Sequence, residues 1–185
     1  MSSLTREEAL ALVRAHVAKE NNVKHMIAVG AVMNSLAKHL GQDVARWELT
    51  GILHDIDFEE CAGICDHTLK AREMLAGKVD EGIMKSILAH NFENTGVAPD
   101  DDMSVGLIAS DAVSGLVIAC ALVMPSKKLV DVQNESLIKK FAKKDFAKGA
   151  DRERMTYCQK LNVPLDRFLS IALEGMRERA AELGL

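Results

Sequence analysis

The chain is poor in aromatic residues, which make up 4% of its 185 positions, and it contains only three prolines. Hydrophobic residues still account for 48%, so aliphatic side chains, alanine and methionine must fill the core. This composition favours helices over sheets, which are richer in β-branched and aromatic residues. A chain of this length needs no disulfide or structural metal in order to fold. We therefore expect a single all-α domain.

An excess of positive charge is also missing, because the net charge is -4. We therefore expect no nucleic-acid partner. No uninterrupted apolar run approaches the roughly 20 residues that span a bilayer, and the first residues lack the apolar segment of a secretory signal. The four cysteines are then expected to be free thiols. These absences indicate a cytoplasmic protein without a membrane partner, and they leave its oligomeric state open.

Helix signals recur along the whole chain. Thr5 and Glu8 have the spacing of a capping box, and Gly41 is a suitable end for a helix over residues 23–40. Eight or nine helices are expected in all. The other predicted N-caps and helical ranges are Asp43, Asp66, Asp80, 104–124, 151–161 and 165–183.

Six polar residues lie on or beside the apolar stripes of these helices, where they are out of place. Each one taken alone could be a core residue that bonds to a carbonyl, or an unrecognised cap. A carboxylate inside an apolar helix costs several kcal/mol unless a cation or a hydrogen-bond partner compensates it. A divalent metal would compensate the carboxylates and employ the imidazoles together. The six residues are His25, His54, Asp55, His67, His90 and Asp111.

The order of these residues resembles a known family. His54-Asp55, with His25 upstream and Asp111 downstream, is similar to the H…HD…D signature of the HD superfamily of metal-dependent phosphohydrolases. The segment from His54 to Asp57 also resembles the HD-I-G variant of that signature, with Asp57 where glycine often stands. With the two intervening histidines, the order H…HD…H…H…D resembles the members that hold two metals. A Pro-Ser-Lys-Lys segment at 125–128 is similar to one in a group of predicted HD hydrolases.

The resemblance implies an all-α HD-domain helical bundle with additional C-terminal helices. Residues 1–125 would form the metal-binding core, and residues 126–185 would pack on it as an extension of the same domain. His25, His54, Asp55 and Asp111 would hold a first ion, while His67 and His90 would join Asp55 around a second. Nitrogen and oxygen ligands suit Mn, Fe, Co, Ni or Zn, and Mg less well.

The activity implied by the resemblance is hydrolysis of a phosphoester or phosphoanhydride bond by a water that the metal activates. The substrate would be a small, nucleotide-like phosphorylated molecule. Two alternatives stay open at this point. The same six-ligand order is used by HD-type di-iron oxygenases, and a non-catalytic regulatory module could bind metal and nucleotide without turnover.

Two residues near the HD pair are further candidates for catalysis. Asp57 follows Asp55 by two positions, so it could orient the attacking water or lie in a surface loop. Lys70 follows His67 by nearly one helical turn, so it could reach the phosphate or be an ordinary solvated lysine.

Residues 127–148 contain seven lysines against three carboxylates. The stretch could bind phosphate, with Lys127 and Lys128 as the best candidates, or form a solvated amphipathic helix. Cys61 and Cys65 could be a zinc knuckle or a redox pair, although a structural zinc site needs four ligands and only His67 is near.

Overall fold

A computed structural model describes residues 4–185, and within them it contains eleven α-helices, two 3-10 helices and no β-strand. The predicted all-α fold is confirmed. The 3-10 helices cover Leu129–Asp131 and Thr156–Leu161. The α-helices are α1 (Arg6–His16), α2 (Glu20–Leu40), α3 (Val44–Leu53), α4 (Leu69–Met74), α5 (Glu81–His90), α6 (Phe92–Thr95), α7 (Asp102–Leu122), α8 (Asn134–Phe141), α9 (Arg152–Met155), α10 (Leu165–Glu178) and α11 (Ala180–Leu183).

Most of the predicted helix ends are confirmed. Thr5 and Glu8 form the full capping box at the start of α1, and Gly41 ends α2 in the left-handed region at a φ of 66°. The carboxylates of Asp43 and Asp80 accept backbone N–H bonds at the first turns of α3 and α5. These caps are local features, so the sequence identifies them without knowledge of the tertiary fold.

One predicted N-cap and two predicted helical ranges are wrong in detail. Asp66 is exposed and caps no helix, since α4 begins only at Leu69. The helix expected over 151–161 is the short α9 followed by a 3-10 helix, and the helix expected over 165–183 breaks at Arg179 into α10 and α11.

Helices α2 and α3 pack closely through a pair of glycines. A Cβ atom added to Gly51 would lie 2.7 Å from Cα of Gly30, so no larger residue fits there without displacing a helix. This contact brings the end of α3, with His54 and Asp55 just beyond it, against the helix that carries His25.

Helix α7 runs through the core beside α2 and α5. By length and composition alone it could cross a membrane, since its most apolar 18-residue stretch has a mean hydropathy of 2.0. However, 72% of that stretch is buried inside the protein. Its Gly106 lets the ring of Trp47 approach, because an added Cβ would lie 2.7 Å from that ring. The burial of α7 is that of a central core helix.

The segment beyond Pro125 shares the core of the preceding helices. Helix α10 packs on α2, where Gly175 approaches the backbone of Ala31, and Phe168 and Met176 are completely buried. One hydrophobic cluster contains residues from both parts of the chain. The C-terminal helices therefore belong to the same structural unit as the first seven.

Candidate metal centre

The structure brings all six predicted ligands together. They come from different elements: His25 from α2, His54 and Asp55 from the end of α3, His67 from the segment before α4, His90 from the end of α5 and Asp111 from α7. The side chains of His54, His67 and His90 are at least 95% buried.

Asp55 lies at the middle of the cluster. Its Oδ1 atom is 3.3 Å from Nε2 of His54, 3.2 Å from Nε2 of His67 and 3.4 Å from Nε2 of His90. Its Oδ2 atom is 3.7 Å from Nε2 of His25. One carboxylate therefore faces four imidazoles, which is the position a bridging ligand requires.

Asp111 closes one side of the cluster. Its Oδ1 atom lies 3.1 Å from Nε2 of His25 and 3.8 Å from Nε2 of His54. Three groups are compact enough to share an ion, and two of them contain Asp55, namely His25 with His54 and Asp55, and Asp55 with His67 and His90. The third is Asp57 with Cys61 and His67. The cluster can thus hold a metal ion.

Two of the imidazoles are oriented by their own helices. Nδ1 of His54 lies 2.8 Å from the carbonyl of Gly51, and Nδ1 of His90 lies 2.6 Å from the carbonyl of Ile87. A carbonyl can only accept, so each Nδ1 must donate. In the neutral ring this places the lone pair on Nε2, the atom that points into the cluster.

The other two imidazoles are oriented by side chains. The Ser114 hydroxyl donates to the carbonyl of Asp111 at 2.8 Å, so its oxygen is left to accept from Nδ1 of His25 at 3.2 Å. Nδ1 of His67 donates to Oδ1 of Asp57 at 2.9 Å. A second partner of this kind on a histidine ligand sets the tautomer and raises the basicity of the ligating nitrogen.

The resulting arrangement calls for a cation. Nε2 of His67 and Nε2 of His90 face each other at 3.0 Å, although both Nδ1 atoms already donate elsewhere. Nε2 of His54 is completely buried and has no hydrogen-bond partner. Converging lone pairs and carboxylates repel one another unless protons or metal ions lie between them. The donor set therefore fits a divalent metal.

Burial and neighbouring groups shift the pKa values of the residues in the cluster. Burial alone would lower the pKa of His67, but its hydrogen bonds to Asp55 and Asp57 raise it to about 9. Burial lowers the pKa of His54 to about 4. Burial would raise the pKa of Asp55, yet the neighbouring His54, His67 and His90 hold it well below its usual value. Without metal, one proton on His67 offsets part of the carboxylate charge.

Asp57 has neither of the roles that were predicted for it, which were to orient the attacking water or to lie in a surface loop. It is completely buried, and its Oδ2 atom accepts from the backbone N–H groups of Thr68 at 2.7 Å and Ala71 at 3.0 Å. Its Oδ1 atom holds His67 on the side away from Asp55. Asp57 is thus a positioning residue for His67 that also caps α4, the role that had been assigned to Asp66.

The predicted lysines lie elsewhere. The ammonium of Lys70 donates to the carbonyl of Glu60, and Lys127 and Lys128 are exposed residues after α7. Neither of the two cavities that reach the cluster is lined by any of the three. The lysine-rich stretch includes α8, which buries Leu137 and exposes Lys139, in agreement with the amphipathic alternative, although Ile138 of its expected apolar side is 40% exposed.

Arg154 is the cationic residue that the sequence did not indicate. It lines both cavities at the cluster, donates to the carbonyl of His90 at 3.0 Å and pairs with Glu93 at 2.5 Å. It lies in the four-residue α9, and nothing in the local sequence distinguishes it from the neighbouring Arg152.

The cysteines are free thiols, as expected. Cys61 lies near Asp57 and His67, and burial together with the Asp57 charge raises the pKa of its thiol to about 11. Cys65 is exposed and lies 3.5 Å from the side-chain oxygen of Asn94. A thiol of such high pKa is a poor metal ligand and a poor nucleophile.

Comparisons of the chain with family models, with curated proteins and with solved structures found no match.

Proposed function

We propose that this protein is a metal-dependent phosphohydrolase that cleaves a phosphoester or phosphoanhydride bond of a small organic substrate. The observation that supports it most is the convergence of four oriented Nε2 atoms on two carboxylates. The resemblance of the ligand order to HD phosphohydrolases supports the choice of reaction.

The donor atoms divide naturally between two ions. Asp111, His25 and His54 lie on one side of Asp55, and His67 and His90 lie on the other. Three or four protein ligands for each ion leave positions for water and substrate. The mixture of imidazole and carboxylate favours Mn, Fe, Co, Ni or Zn over Mg.

Bound metal would lower the pKa of a water molecule and polarise the phosphoryl oxygens. The protein itself keeps the ligating atoms in place through the carbonyls of Gly51 and Ile87 and the carboxylate of Asp57. Hydrolysis adds a hydroxyl group to phosphorus and a proton to the leaving oxygen, so no redox partner is needed.

Arg154 is the group best placed to bind the phosphate. Its guanidinium lines both cavities beside Asp111, and planar guanidinium groups match the geometry of phosphoryl oxygens. Its partner Glu93 is half exposed, so a phosphate that enters the cavity can compete for the same N–H groups.

The test combines elemental analysis with a substrate panel. Wild type loaded with Mn, Co, Ni or Mg would be assayed on phosphate esters and anhydrides beside Asp55→Asn. We expect about two equivalents of transition metal in wild type, and a loss of at least 100-fold in kcat/KM for Asp55→Asn. Asp66→Asn is the matched control, because it makes the same change at an exposed site nearby.

Other outcomes would separate the alternatives. Equal activities of wild type and Asp55→Asn on every substrate would exclude hydrolysis at this centre. A mixed-valence iron signal in electron paramagnetic resonance, without phosphatase activity, would favour the di-iron oxygenase. Metal and nucleotide binding without any turnover would favour the regulatory module.

A further inference from the structure

One glycine inside a helix has no packing reason to be glycine. At four other helical glycines an added Cβ would lie within 2.7 Å of backbone or of a buried side chain, so packing excludes a side chain; at Gly82 it would meet only the end of the flexible Arg46 side chain. At Gly115 in α7 the nearest neighbour of such a Cβ is the Cβ of Ala150, at 3.9 Å, which is ordinary contact. The four packed glycines are Gly30, Gly51, Gly106 and Gly175.

Gly115 therefore leaves open space where alanine would fit. Glycine inside a helix also lowers stability relative to alanine, because it loses more backbone freedom on folding. Gly115 lies one turn after Asp111 and is exposed to a cavity of about 500 Å³. The space it leaves belongs to this cavity, which we call the α7 groove.

The α7 groove is apolar along most of its length. Its walls come from α7 on one side and from the segment before α9 on the other, and Leu122, at its far end, is 52% exposed. The residues that form the apolar walls are Ala112, Gly115, Ile118, Ala119, Leu122, Ala147, Gly149 and Ala150.

The near end of the α7 groove is polar and meets the candidate metal centre. Asp111 and His25 form this end together with Arg154. Behind Asp111, at 3.8 Å, lies the buried and unpartnered Nε2 atom of His54. A ligand in the groove would therefore have one end at a cation-binding cluster and the rest against small apolar side chains.

We propose that the α7 groove binds the leaving group of the substrate, and that this group is a largely apolar ring system. This inference rests on the proposed function, which places the phosphoryl group at the cluster. Cavities of a few hundred Å³ are typical of small-molecule sites and accommodate a group of that size. Alanine and glycine on both walls let a flat ring approach the backbone closely. Gly115 is then a specificity-determining residue.

The experiment uses two phosphonates that cannot be hydrolysed, so it does not depend on turnover. Binding of naphthylmethylphosphonate and of methylphosphonate to the metal-loaded protein would be measured by calorimetry. We expect wild type to bind the naphthyl compound at least tenfold more tightly. Gly115→Leu should abolish this preference and leave the affinity for methylphosphonate and the metal content unchanged.

Two further variants make the result specific to the groove. Gly115→Ala adds one methyl group without a clash, so it should fold, melt at a higher temperature and lose part of the preference. Ala11→Leu places the same leucine side chain on an exposed position of α1, and it should bind both phosphonates as wild type does.

Three outcomes would overturn the inference. Equal binding of the two phosphonates by wild type would refute the groove but leave the phosphate site intact. Retention of the preference in both Gly115 variants would also refute the groove alone. If neither phosphonate binds to the metal-loaded protein, the phosphate site of the proposed function fails and the groove fails with it.

Discussion

Three histidines of the candidate metal centre, His54, His67 and His90, are held in two different ways. His54 and His90 each stand at the end of a helix and donate from Nδ1 to the carbonyl three residues earlier, that of Gly51 or Ile87. His67 lies outside any helix, and its Nδ1 atom depends on the carboxylate of Asp57, ten residues away.

This difference shows which histidines are oriented by neighbouring residues alone and which one depends on the tertiary fold. The last carbonyls of a helix have no partner within the helix, so a histidine at its end finds an acceptor without help from the tertiary fold. His67 needs a buried acid that also accepts from Thr68 and Ala71. Thus His54 and His90, one in each of the two proposed groups of ligands, are oriented by the ends of their own helices, whereas the orientation of His67 depends on one distant carboxylate.

Replacing that carboxylate should give the largest effect. Asp57→Ala would leave two buried backbone N–H groups and the His67 ring without an acceptor, so we expect unfolding of the metal-free protein to become easier by about 2–5 kcal/mol. We also expect weaker binding of the second ion. Chemical denaturation and elemental analysis would measure the two effects.

The comparison between His67 and the two helix-end histidines fails if Asp57→Ala changes the free energy of unfolding no more than a substitution of the exposed Asp66 does. Asp66→Ala has the same loss of charge near the same helix and should change the free energy of unfolding by less than about 0.5 kcal/mol. Equal values for the two variants would show that His67 is held by something other than Asp57.

Replacing Arg154 tests the proposed phosphate site beside His90, a histidine oriented by its own helix, because the guanidinium donates to the carbonyl of that residue. Arg154→Gln should raise KM for a phosphorylated substrate about tenfold, the effect of losing roughly 1.4 kcal/mol of binding. The metal content should stay unchanged. Arg167→Gln, on the exposed surface of α10, is the control, and a KM for Arg154→Gln equal to that of the control would assign Arg154 a structural role.

The pH dependence of metal binding tests whether His67 carries a proton in the metal-free protein. The pKa of this imidazole is raised to about 9 in the metal-free protein, so at pH 7 it carries a proton that a metal must displace. We expect the affinity for the second ion to rise by up to about tenfold per pH unit between pH 7 and 8. Calorimetry in buffers of different ionisation enthalpy would count the released proton, and a pH-independent affinity would contradict the assignment.

The smallest effect is expected at Gly115, which is not a ligand of the candidate metal centre. Gly115→Ala should stabilise the protein by about 0.5–1 kcal/mol, because alanine is the better helix former and meets no close neighbour. Thermal unfolding would measure the change. A decrease in stability would show that the groove cannot accept even a methyl group.

Features that depend on nearby residues could be predicted from the sequence. The capping box at Thr5, the end of α2 at Gly41 and the caps Asp43 and Asp80 each follow from a few neighbouring positions. The six polar residues could be identified as a set because each one lies on or beside an apolar stripe.

The remaining parts of the site depend on contacts between distant segments. Asp57 looks like a loop residue in the sequence, since nothing local indicates that it caps α4 and holds His67. Arg154 lies in a four-residue helix and reaches the cluster only because the chain folds back onto α7, which places its guanidinium at the end of α5. The lysines of residues 127–148 are conspicuous by their number in the sequence, yet none of them lines either cavity at the cluster.

The double role of Asp57 also couples metal occupancy to the closing of the segment between α3 and α4. A chelator that removes the ion opposite His67 weakens one of the two contacts that keep this imidazole in place. The exposed turn at residues 62–66 should then open more often, and its amides should exchange with deuterium faster. The half-buried thiol of Cys61 would report this opening by reacting with an alkylating reagent more quickly in the stripped protein than in the loaded one, and the exposed Cys65 would serve as its reference.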